Sequence, residues 1–423
     1  MTSSNPGQSI PGPDTIVHQK LRNGLHIYIY ENHAVPIAII EGSLRAGSVD
    51  EPVHLNGLAA LTASLMRRGT YQHQFEALNE EIEALGAAVE FSGGRHAIDI
   101  FANCLSEDVD KILGFIAEML REPAFVPEEF ERLKQQTLTR LQERKQDTRT
   151  MAFLTFRRLI YGDHPYARSV TGEIETVKRI TLPDVKAFYE NHVGAAGGQL
   201  VIVGDVNPEA IITTIERLLE DWEGHVQPVP LPPVRALSAP SQKHVDIPDK
   251  RQSDIVLGWL GIPRKHPDWT PLVVANVLWG RFGMGGRIGE RVRERQGLAY
   301  YAYGNVDGNF GPGTWNATAG VAPEHVSLAV ESILDEARRL REELVSEQEL
   351  EDTKSFIIGS TPIRLETSEG IAAAIADMAW YDLGLDYLLK LEERVRGVTR
   401  EDVQHMAQKY MKLNAYALAI AGP

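Results

Sequence analysis

Short apolar runs alternate with longer amphipathic stretches along the first half of the chain. Apolar runs of strand length that lie between polar or turn-forming residues predict β-strands at residues 25–30, 36–44 and 97–103. Stretches whose apolar residues recur every three or four positions predict helices over residues 56–68, 75–85, 107–120 and 127–144. Because these strands and helices do not alternate strictly, the pattern predicts an α+β fold rather than a parallel βαβ fold.

The second half repeats this style and, in places, the same residues. Thr181 and Asp184 recur as Thr399 and Asp402, 218 positions later. In both copies a threonine followed three residues later by an aspartate predicts a capping box at the start of a helix. An apolar run that ends in glycine follows each helix at the same offset, as a buried strand would. We infer an internal duplication, in preference to a chance likeness of two helix-loop-strand segments.

A proline-rich segment divides the chain near its middle. Residues 227–240 contain five prolines in fourteen positions, which favours an extended connector over packed structure. The pattern therefore predicts four segments, which are a polar tail (1–15), a first α+β half (16–222), a proline-rich linker (223–244) and a second α+β half (245–423). Each half is long enough to bury a hydrophobic core of its own.

Composition and charge narrow the class of function. The chain is 43% hydrophobic and 24% charged, as soluble globular proteins are. Its formal net charge of −15 argues against nucleic-acid or anionic-membrane partners and slightly favours basic peptides as ligands. Cys104 is the only cysteine, so no intramolecular disulfide or cysteine-based zinc cluster can form. The polar start of the chain does not resemble a signal peptide. We expect a cytoplasmic protein, or a periplasmic one if a signal peptide has been removed.

Several common catalytic and binding motifs are absent or incomplete. There is no G-x-S-x-G nucleophile motif, and the lone cysteine lies in no catalytic signature. The glycine-rich residues 280–290 lack the Lys-Ser/Thr ending of a phosphate-binding loop and instead favour a hinge or a close backbone approach. The thirteen histidines never form H-x-x-E-H or H-x-x-x-H. His54, His96, His164 and His192 are therefore interpreted as surface or capping residues rather than metal ligands.

Several segments nevertheless resemble the pitrilysin-type zinc metallopeptidases, or inverzincins. In residues 44–70 the resemblance is carried by Arg45, Gly47, Ser48, Glu51, Gly57, Leu58, Ala59, Gly69 and Thr70. Later landmarks are Leu85-Gly86, Pro123-x-Phe125, Phe130-Glu131-Arg132, His164-Pro165-Tyr166, Ile180-Thr181 and Val201-Ile202-Val203-Gly204-Asp205. The resemblance covers nearly the whole chain. It implies two homologous halves of the pitrilysin/processing-peptidase type, each a mostly antiparallel sheet packed with helices.

The zinc site that the resemblance implies has lost its donors. Where the family has H-x-x-E-H, residues 60–64 read Ala-Leu-Thr-Ala-Ser. The two histidine positions are thus Ala60 and Ser64, the general-base position is Ala63, and the third ligand position, a glutamate in the family, falls at Arg140. Methyl, hydroxyl and guanidinium groups cannot replace the imidazole and carboxylate donors that bind zinc and activate its water. We expect no metal or other cofactor in this chain and no peptide hydrolysis by the chain alone.

A second functional pair of the family is kept. In active relatives an arginine and a tyrosine seven residues apart, in the C-terminal half, bind the substrate carbonyl and stabilise the oxyanion. Arg293 and Tyr300 keep that spacing within the matching sequence QGLAYY. A permanent cation and a phenolic donor both suit an oxygen that gains negative charge. The alternative is that Arg293 is a solvated charge and Tyr300 an ordinary strand aromatic. Tyr301 should point to the opposite face of the strand.

A lost metal site together with a retained Arg/Tyr pair indicates a complementary subunit. The resemblance implies a non-catalytic subunit of a heterodimeric zinc peptidase, whose homologous partner carries H-x-x-E-H and zinc and hydrolyses peptides. The alternative is a peptidase-like scaffold or interaction protein without a role in proteolysis, which explains the lost zinc site but not the retained pair. An independent peptidase with a relocated metal would need a ligand cluster that the sequence does not contain.

Overall fold

The chain forms two compact units, which we call unit 1 and unit 2. A computed structural model describes residues 10–224, 230–283 and 285–423. Unit 1 is made of residues up to 141, 169–230 and 362–389, and unit 2 of residues 142–168, 231–361 and 390–423. Parts of three predicted segments lie outside the described residues, namely 1–9 of the polar tail, 225–229 of the linker and residue 284 of the glycine-rich stretch. None of the described helices is long and apolar enough to cross a membrane.

The order of the elements along the chain matches the predicted α+β pattern. The strands are β1 (Val17–Lys20), β2 (His26–Glu31), β3 (Ile37–Leu44), β4 (Ala88–Gly93), β5 (Ile98–Leu105), β6 (Gln199–Gly204), β7 (Ser241–Asp246), β8 (Ser253–Leu260), β9 (Ala299–Val306), β10 (Thr314–Val321) and β11 (Ala417–Gly422).

The helices before β7 are α1 (Leu58–Met66), α2 (Phe75–Ala84), α3 (Val109–Arg121), α4 (Pro127–Arg144), α5 (Thr148–Tyr161), α6 (Ile174–Arg179), α7 (Leu182–His192) and α8 (Pro208–Leu219). Those after β8 are α9 (Trp269–Gly280), α10 (Gly286–Ile288), α11 (Val326–Glu342), α12 (Glu347–Arg364), α13 (Ser368–Trp380), α14 (Leu391–Arg396) and α15 (Arg400–Tyr410). A π-helix, Gly289–Arg295, follows α10 directly.

The two sheets share one topology, which confirms the two similar halves. The strand order is β1-β2-β6-β3-β5-β4 in unit 1 and β7-β11-β8-β10-β9 in unit 2. Each sheet contains one parallel pair of strands, β2 with β6 in unit 1 and β7 with β11 in unit 2. The other neighbouring strands pair antiparallel. Both predicted capping boxes form, since Thr181 caps α7 with Asp184 and Thr399 caps α15 with Asp402. The sheet of unit 1 differs only by the additional edge strand β1.

The inner strands of each sheet are buried on both faces. In β3 of unit 1, Ile40 packs into a core formed with α1, α3 and α8, while its neighbour Ile39 packs with α13 on the other face. In unit 2, α9, α11 and α15 cover one face of the sheet and α5 covers the other. This two-sided burial explains why the central strands β6 and β10 are apolar or small at nearly every position.

The helix on the second face of each sheet comes from the other half of the sequence. Residues 142–168, which include α5, precede the proline-rich segment but pack in unit 2. Residues 362–389, which include α13, follow that segment but pack in unit 1. In addition, β7 begins at Ser241, within the segment predicted as linker. The two halves on either side of the linker thus correspond to the two copies of the duplicated sequence. Each compact unit contains most of one half together with one segment of the other half.

Glu41 lies on the face of the unit 1 sheet that packs against α13, and its carboxyl group ionises less readily than an exposed one. Glu41 lies on β3, and Asp99 lies on the adjacent strand β5, where its carboxylate accepts a hydrogen bond of 2.9 Å from the Ser43 hydroxyl. Burial of Glu41, with a further contribution from the charge of Asp99, raises its pKa from 4.5 to about 7. The folded chain therefore takes up a proton at Glu41 that the unfolded chain has released by neutral pH.

We predict that Glu41→Gln stabilises unit 1 at pH 8 but not at pH 4.5. As pH rises from 4.5 towards 7, Glu41 ionises first in the unfolded chain, so the wild type loses stability that the glutamine variant keeps. The gain at pH 8 should be about 1–3 kcal/mol, because each unit of pKa difference corresponds to about 1.4 kcal/mol and Glu41 is only partly buried. Urea unfolding of both proteins at the two pH values measures it. The control is Glu80→Gln on the exposed face of α2, and an equal gain there would contradict the prediction.

Candidate functional site

Helix α1 carries the positions at which the resemblance places zinc ligands. A buried carboxylate holds the start of this helix, because Glu51 accepts hydrogen bonds from the backbone N–H groups of Gly57 (3.0 Å) and Ala59 (2.9 Å). Ala60 and Ser64 are one turn apart and both partly exposed, so they share the outer face of the helix. Ala63 points into the core and is fully buried.

Helix α4 presents the third ligand position beside α1. Directly after α1, the guanidinium of Arg68 donates hydrogen bonds of 3.0 Å to Glu129 and to Gln136, both on α4. Arg140 lies four residues beyond Gln136 and therefore on the same helical face, with an exposed side chain. This arrangement is consistent with the assignment of Arg140 to the third ligand position.

The residues present on this face do not fit a zinc ion. Ala60 offers no lone pair, Ser64 offers only a neutral hydroxyl and Arg140 a cation, none of which is a usual zinc ligand. Within the described ranges no group of three or more His, Cys, Asp or Glu side chains is arranged to hold a metal ion. The described residues in this part of unit 1 thus lack the ligands with which a zinc peptidase binds its metal.

Arg293 differs from its neighbouring arginines in how its charge is satisfied. Arg287 forms a two-pronged ion pair with Glu349, at 2.6 Å for each hydrogen bond. Arg291 binds Glu336 at 3.1 Å and a second carboxylate on α11 at 3.0 Å. Arg293, on the π-helix, has only the adjacent Glu294 within reach, at 3.6 Å and without a hydrogen bond among the described residues. Its side chain is 34% exposed, so its donors remain available to a ligand.

Tyr300 stands at an irregularity of strand β9. In the pairing of β9 with β10, Ala299 opposes Val321 and Tyr301 opposes Gly320, so Tyr300 is the extra residue of a β-bulge. Its side chain is 84% exposed, and its hydroxyl has no hydrogen-bond partner among the described residues. A bulge re-aims a side chain, which accounts for a large aromatic residue directed into solvent at this point.

The turn between the π-helix and β9 brings the two predicted residues onto adjoining elements. The N–H of Gly297 donates to the carbonyl of Arg293 at 3.1 Å, and the N–H of Leu298 donates to that of Val292 at 2.9 Å. Gly297 has a φ of +63°, a left-handed conformation that glycine adopts without strain. The chain therefore reverses directly after the π-helix, and β9 packs against it.

Tyr301 has a structural partner, as its position on the opposite face predicted. Its hydroxyl hydrogen-bonds to the carboxylate of Asp254, which is 1% exposed and also accepts a 2.5 Å hydrogen bond from Thr148 of α5. Burial, and then the hydrogen bond and the charge of Asp254, raise the pKa of Tyr301. Asp254 was missed in the sequence because it lies at the start of an apolar strand and belongs to no motif.

Most of the chain is similar to known protein families. Residues 29–173 match the family model described as Insulinase (Peptidase family M16), and residues 179–356 match the one described as Peptidase M16 inactive domain. The two matches occupy successive parts of the chain and together span most of it. The chain belongs to peptidase family M16. Its α+β halves and duplicated sheets are thus those of an M16 protein, as the resemblance implied.

Individual M16 relatives are distant in sequence but similar over long stretches. The Helicobacter pylori protein named Non-peptidase homolog YmxG is 23% identical, over 96% of this chain and 94% of its own length. The mitochondrial-processing peptidase subunit beta of Caenorhabditis elegans is 24% identical, over 65% of this chain and 59% of its own. A crystal structure described as peptidase M16 inactive domain from Pseudomonas fluorescens has a TM-score of 0.88 at 24% identity, covering 96% of this chain and 98% of that one.

We predict that the purified chain holds no stoichiometric zinc but can be given a zinc site at α1. Elemental analysis of the wild type should find well under one zinc per chain. Ala60→His combined with Ser64→His puts two imidazoles one turn apart on a partly exposed face, and should bind zinc at least about tenfold more tightly than Ala60→His alone. Calorimetric titration measures both. One tightly held zinc in the wild type, or no gain in the double variant, would contradict this assignment of α1.

Proposed function

We propose that this M16 homologue is the non-catalytic subunit of a heterodimeric zinc peptidase. In this proposal the partner is a homologous chain that carries H-x-x-E-H and zinc, and the zinc activates the water that hydrolyses the peptide bond. This chain contributes Arg293 and Tyr300, which bind the substrate carbonyl and donate to the oxygen as it becomes negatively charged. The substrates are peptides, and the chain alone is inactive. A cytoplasmic location is part of the proposal.

The proposal rests on one observation, namely that the side chains of Arg293 and Tyr300 make no hydrogen bond among the described residues. Arg287 and Arg291, close to Arg293 in sequence, have hydrogen-bonded carboxylate partners on other elements, whereas Arg293 has none among the described residues. Tyr300 is largely exposed to solvent, and its hydroxyl has no hydrogen-bond partner in the part of the chain that the structure describes. Donors that are positioned by the fold but not used within it are what an oxyanion-binding pair requires, because they then cost little reorganisation when charge develops.

The relatives support a subunit role at a coarser level. One relative is named as the beta subunit of a processing peptidase, and another is named a non-peptidase homologue. M16 chains therefore include both named subunits and named non-peptidases, and the missing donors on α1 align this chain with the non-peptidases. Transfer of the subunit role to this chain is our inference.

The second candidate is a peptidase-like scaffold with no part in proteolysis. The name of the Helicobacter pylori relative favours it, and it accounts equally well for Ala60, Ser64 and Arg140. It does not account for Arg293 and Tyr300, since a scaffold has no need for donors held apart from carboxylates. The two candidates differ in what happens to peptide turnover when those donors are removed.

We predict that the chain copurifies with an M16 homologue that contains H-x-x-E-H. A stable pair of this kind commonly buries more than about 2,000 Å² of surface, so the complex should persist through size-exclusion chromatography at physiological salt. The measurement is mild purification from the source cells, followed by mass spectrometry of the bound chain and zinc analysis of the complex. Recovery of a homodimer alone would favour the scaffold.

We also predict that Tyr300→Phe and Arg293→Ala each lower peptide turnover by the complex. Removal of one donor to an oxyanion typically lowers kcat about 10² to 10³-fold. Tyr300→Phe removes a single hydroxyl, so kcat should fall with little change in KM, whereas Arg293→Ala should also raise KM. Assembly and the zinc content of the partner should not change, because neither side chain has a structural partner among the described residues beyond the weak contact with Glu294.

Two matched variants control for general effects of these substitutions. Arg295→Ala removes an arginine from the same π-helix that is already hydrogen-bonded to Glu290. Tyr71→Phe removes a hydroxyl from a comparably exposed tyrosine of unit 1. Both should retain wild-type turnover. If Tyr300→Phe and Arg293→Ala stay within twofold of wild type in a fully assembled complex, the pair has no catalytic role and the scaffold is the better description.

A further inference from the structure

A cavity of roughly 580 Å³ lies within unit 2, on the face of the sheet that α5 covers. Strands β9 and β10 form its floor, α5 forms one wall, and the residue directly after α9 closes another side. The described residues that line it include two arginines, two asparagines and a tyrosine hydroxyl, but no aspartate or glutamate. Its apolar lining comes from Phe153, Leu154 and Val256. A cavity of mixed lining that contains two cations and no described carboxylate is suited to an anionic group.

Both arginines lie on the same tyrosine ring. The guanidinium carbon of Arg149, in the first turn of α5, is 5.7 Å from the centre of the Tyr303 ring, and that of Arg281 is 5.6 Å from it. Arg149 also donates a hydrogen bond to the Tyr303 hydroxyl. The ring of Tyr303 is thus a common neighbour of the two cations that line the cavity.

Neither arginine forms an ion pair within 4 Å with a carboxylate in the described part of the chain, and both residues are exposed. The charge of Asp254 acts on Arg149, but its carboxylate is hydrogen-bonded to Thr148, Tyr301 and Gln252. Among the described residues, the contact found for Arg281 is the one with the aromatic ring. Because an arginine guanidinium presents a planar set of donors, the pair is suited to a carboxylate.

The glycines of the predicted hinge explain how Arg281 reaches this position. A Cβ on Gly280, the last residue of α9, would lie 2.1 Å from the backbone nitrogen of Gly304 on β9. The absence of side chains at these two residues lets the helix end touch the strand, one residue from Tyr303. This segment is therefore a close backbone approach, which was one of the two interpretations of the glycine-rich stretch.

An amide adds a further donor to the pocket. Asn305 follows Tyr303 on the same face of β9 and lines the cavity, and its side-chain amide has no hydrogen-bond partner in the ranges described. Asn316, opposite Asn305 in the neighbouring strand, is almost fully buried and donates to Thr314. The donors of the pocket that remain for a ligand are thus Arg281, Asn305 and the N–H groups of Arg149 that are not bound to Tyr303.

We propose that this pocket binds a carboxylate of the peptide substrate. The choice of a peptide rests on the proposed function, whereas the choice of a carboxylate rests on the pocket itself. The pocket lies on the face of β9 that carries Tyr303 and Asn305. The carboxylate that it accepts is either an acidic side chain or the C-terminal carboxylate of the peptide.

Calorimetric titration of this chain alone with three N-acetylated hexapeptides tests the pocket. One peptide has a single glutamate and an amidated C-terminus, one has glutamine and a free C-terminal carboxylate, and one has glutamine and an amide. At least one of the first two should bind about tenfold more tightly than the neutral peptide, and the comparison between them identifies the source of the carboxylate. Equal binding of all three, or no binding of the acidic peptides at millimolar concentration, overturns the proposal.

Substitutions of the pocket residues test whether the acidic peptide binds in the pocket. Arg281→Gln and Arg149→Gln should each reduce the affinity for the acidic peptide to near that of the neutral one, and the isosteric Asn305→Asp should do the same by adding a negative charge. Arg338→Gln on α11, which removes an arginine paired with Asp335, is the control and should not change it. Thermal melting identifies any variant that fails to fold. A control variant that weakens binding as strongly as Arg281→Gln overturns the proposal.

Failure of the pocket and failure of the proposed function give different results. In the reconstituted complex, Arg281→Gln should raise KM for the acidic peptide severalfold more than KM for the neutral peptide, whereas Tyr300→Phe should lower kcat for both. Loss of the first effect alone removes the carboxylate pocket and keeps the enzyme subunit. Loss of the second alone removes the catalytic pair and leaves a peptide-binding pocket on a scaffold.

Discussion

Burial of both faces of each sheet is the constraint on which the rest of the structure depends. The central strands are apolar or small on both sides, so a sheet covered on one face only would leave a wide apolar surface in water, at about 25 cal/mol for each Å². Each half of the sequence covers one face with its own helices. The second face is covered by α13 in unit 1 and by α5 in unit 2, both from the other half. This exchange positions Thr148 and Arg149 over the sheet of unit 2, beside Asp254 and Tyr303.

The sequence was informative about what is local and silent about what crosses between distant segments. The predicted strands and helices of the first half and both capping boxes follow from period and spacing, and they were placed to within a few residues. Strands β1, β4, β7 and β10 were not predicted. The exchange of α5 and α13 was not, because an amphipathic helix shows that it has an apolar face but not which sheet will cover it. Tyr300 was found through its motif. The bulge that turns it outward depends on the pairing of β9 with β10, which no local pattern reports.

The net charge of the chain and the charges that line the pocket of unit 2 favour different ligands. The charges closest to a bound ligand have the larger effect on it. The net charge of −15 slightly favours basic peptides, yet the pocket of unit 2 contains two arginines and no described carboxylate in its lining. At physiological ionic strength charges more than about 8 Å apart are largely screened. A bound group therefore responds mainly to the residues that touch it. The overall charge can influence the approach of a peptide, whereas Arg149, Arg281 and Asn305 determine which group the pocket accepts.

The arginines of unit 2 divide into those with a hydrogen-bonded carboxylate partner and those without one among the described residues. An ordered arginine without a carboxylate gives up the charge-assisted hydrogen bonds that its neighbours make, and Arg287 and Arg291 show that such partners are available in this unit. Arg293, Arg149 and Arg281 lack them in the described ranges. Arg149 and Arg281 lie near Tyr303 of β9, and the π-helix that carries Arg293 packs against the same strand. The zinc positions of α1 show the opposite, since every donor there is gone. A protein retained only for its shape would have no reason to treat the two places differently.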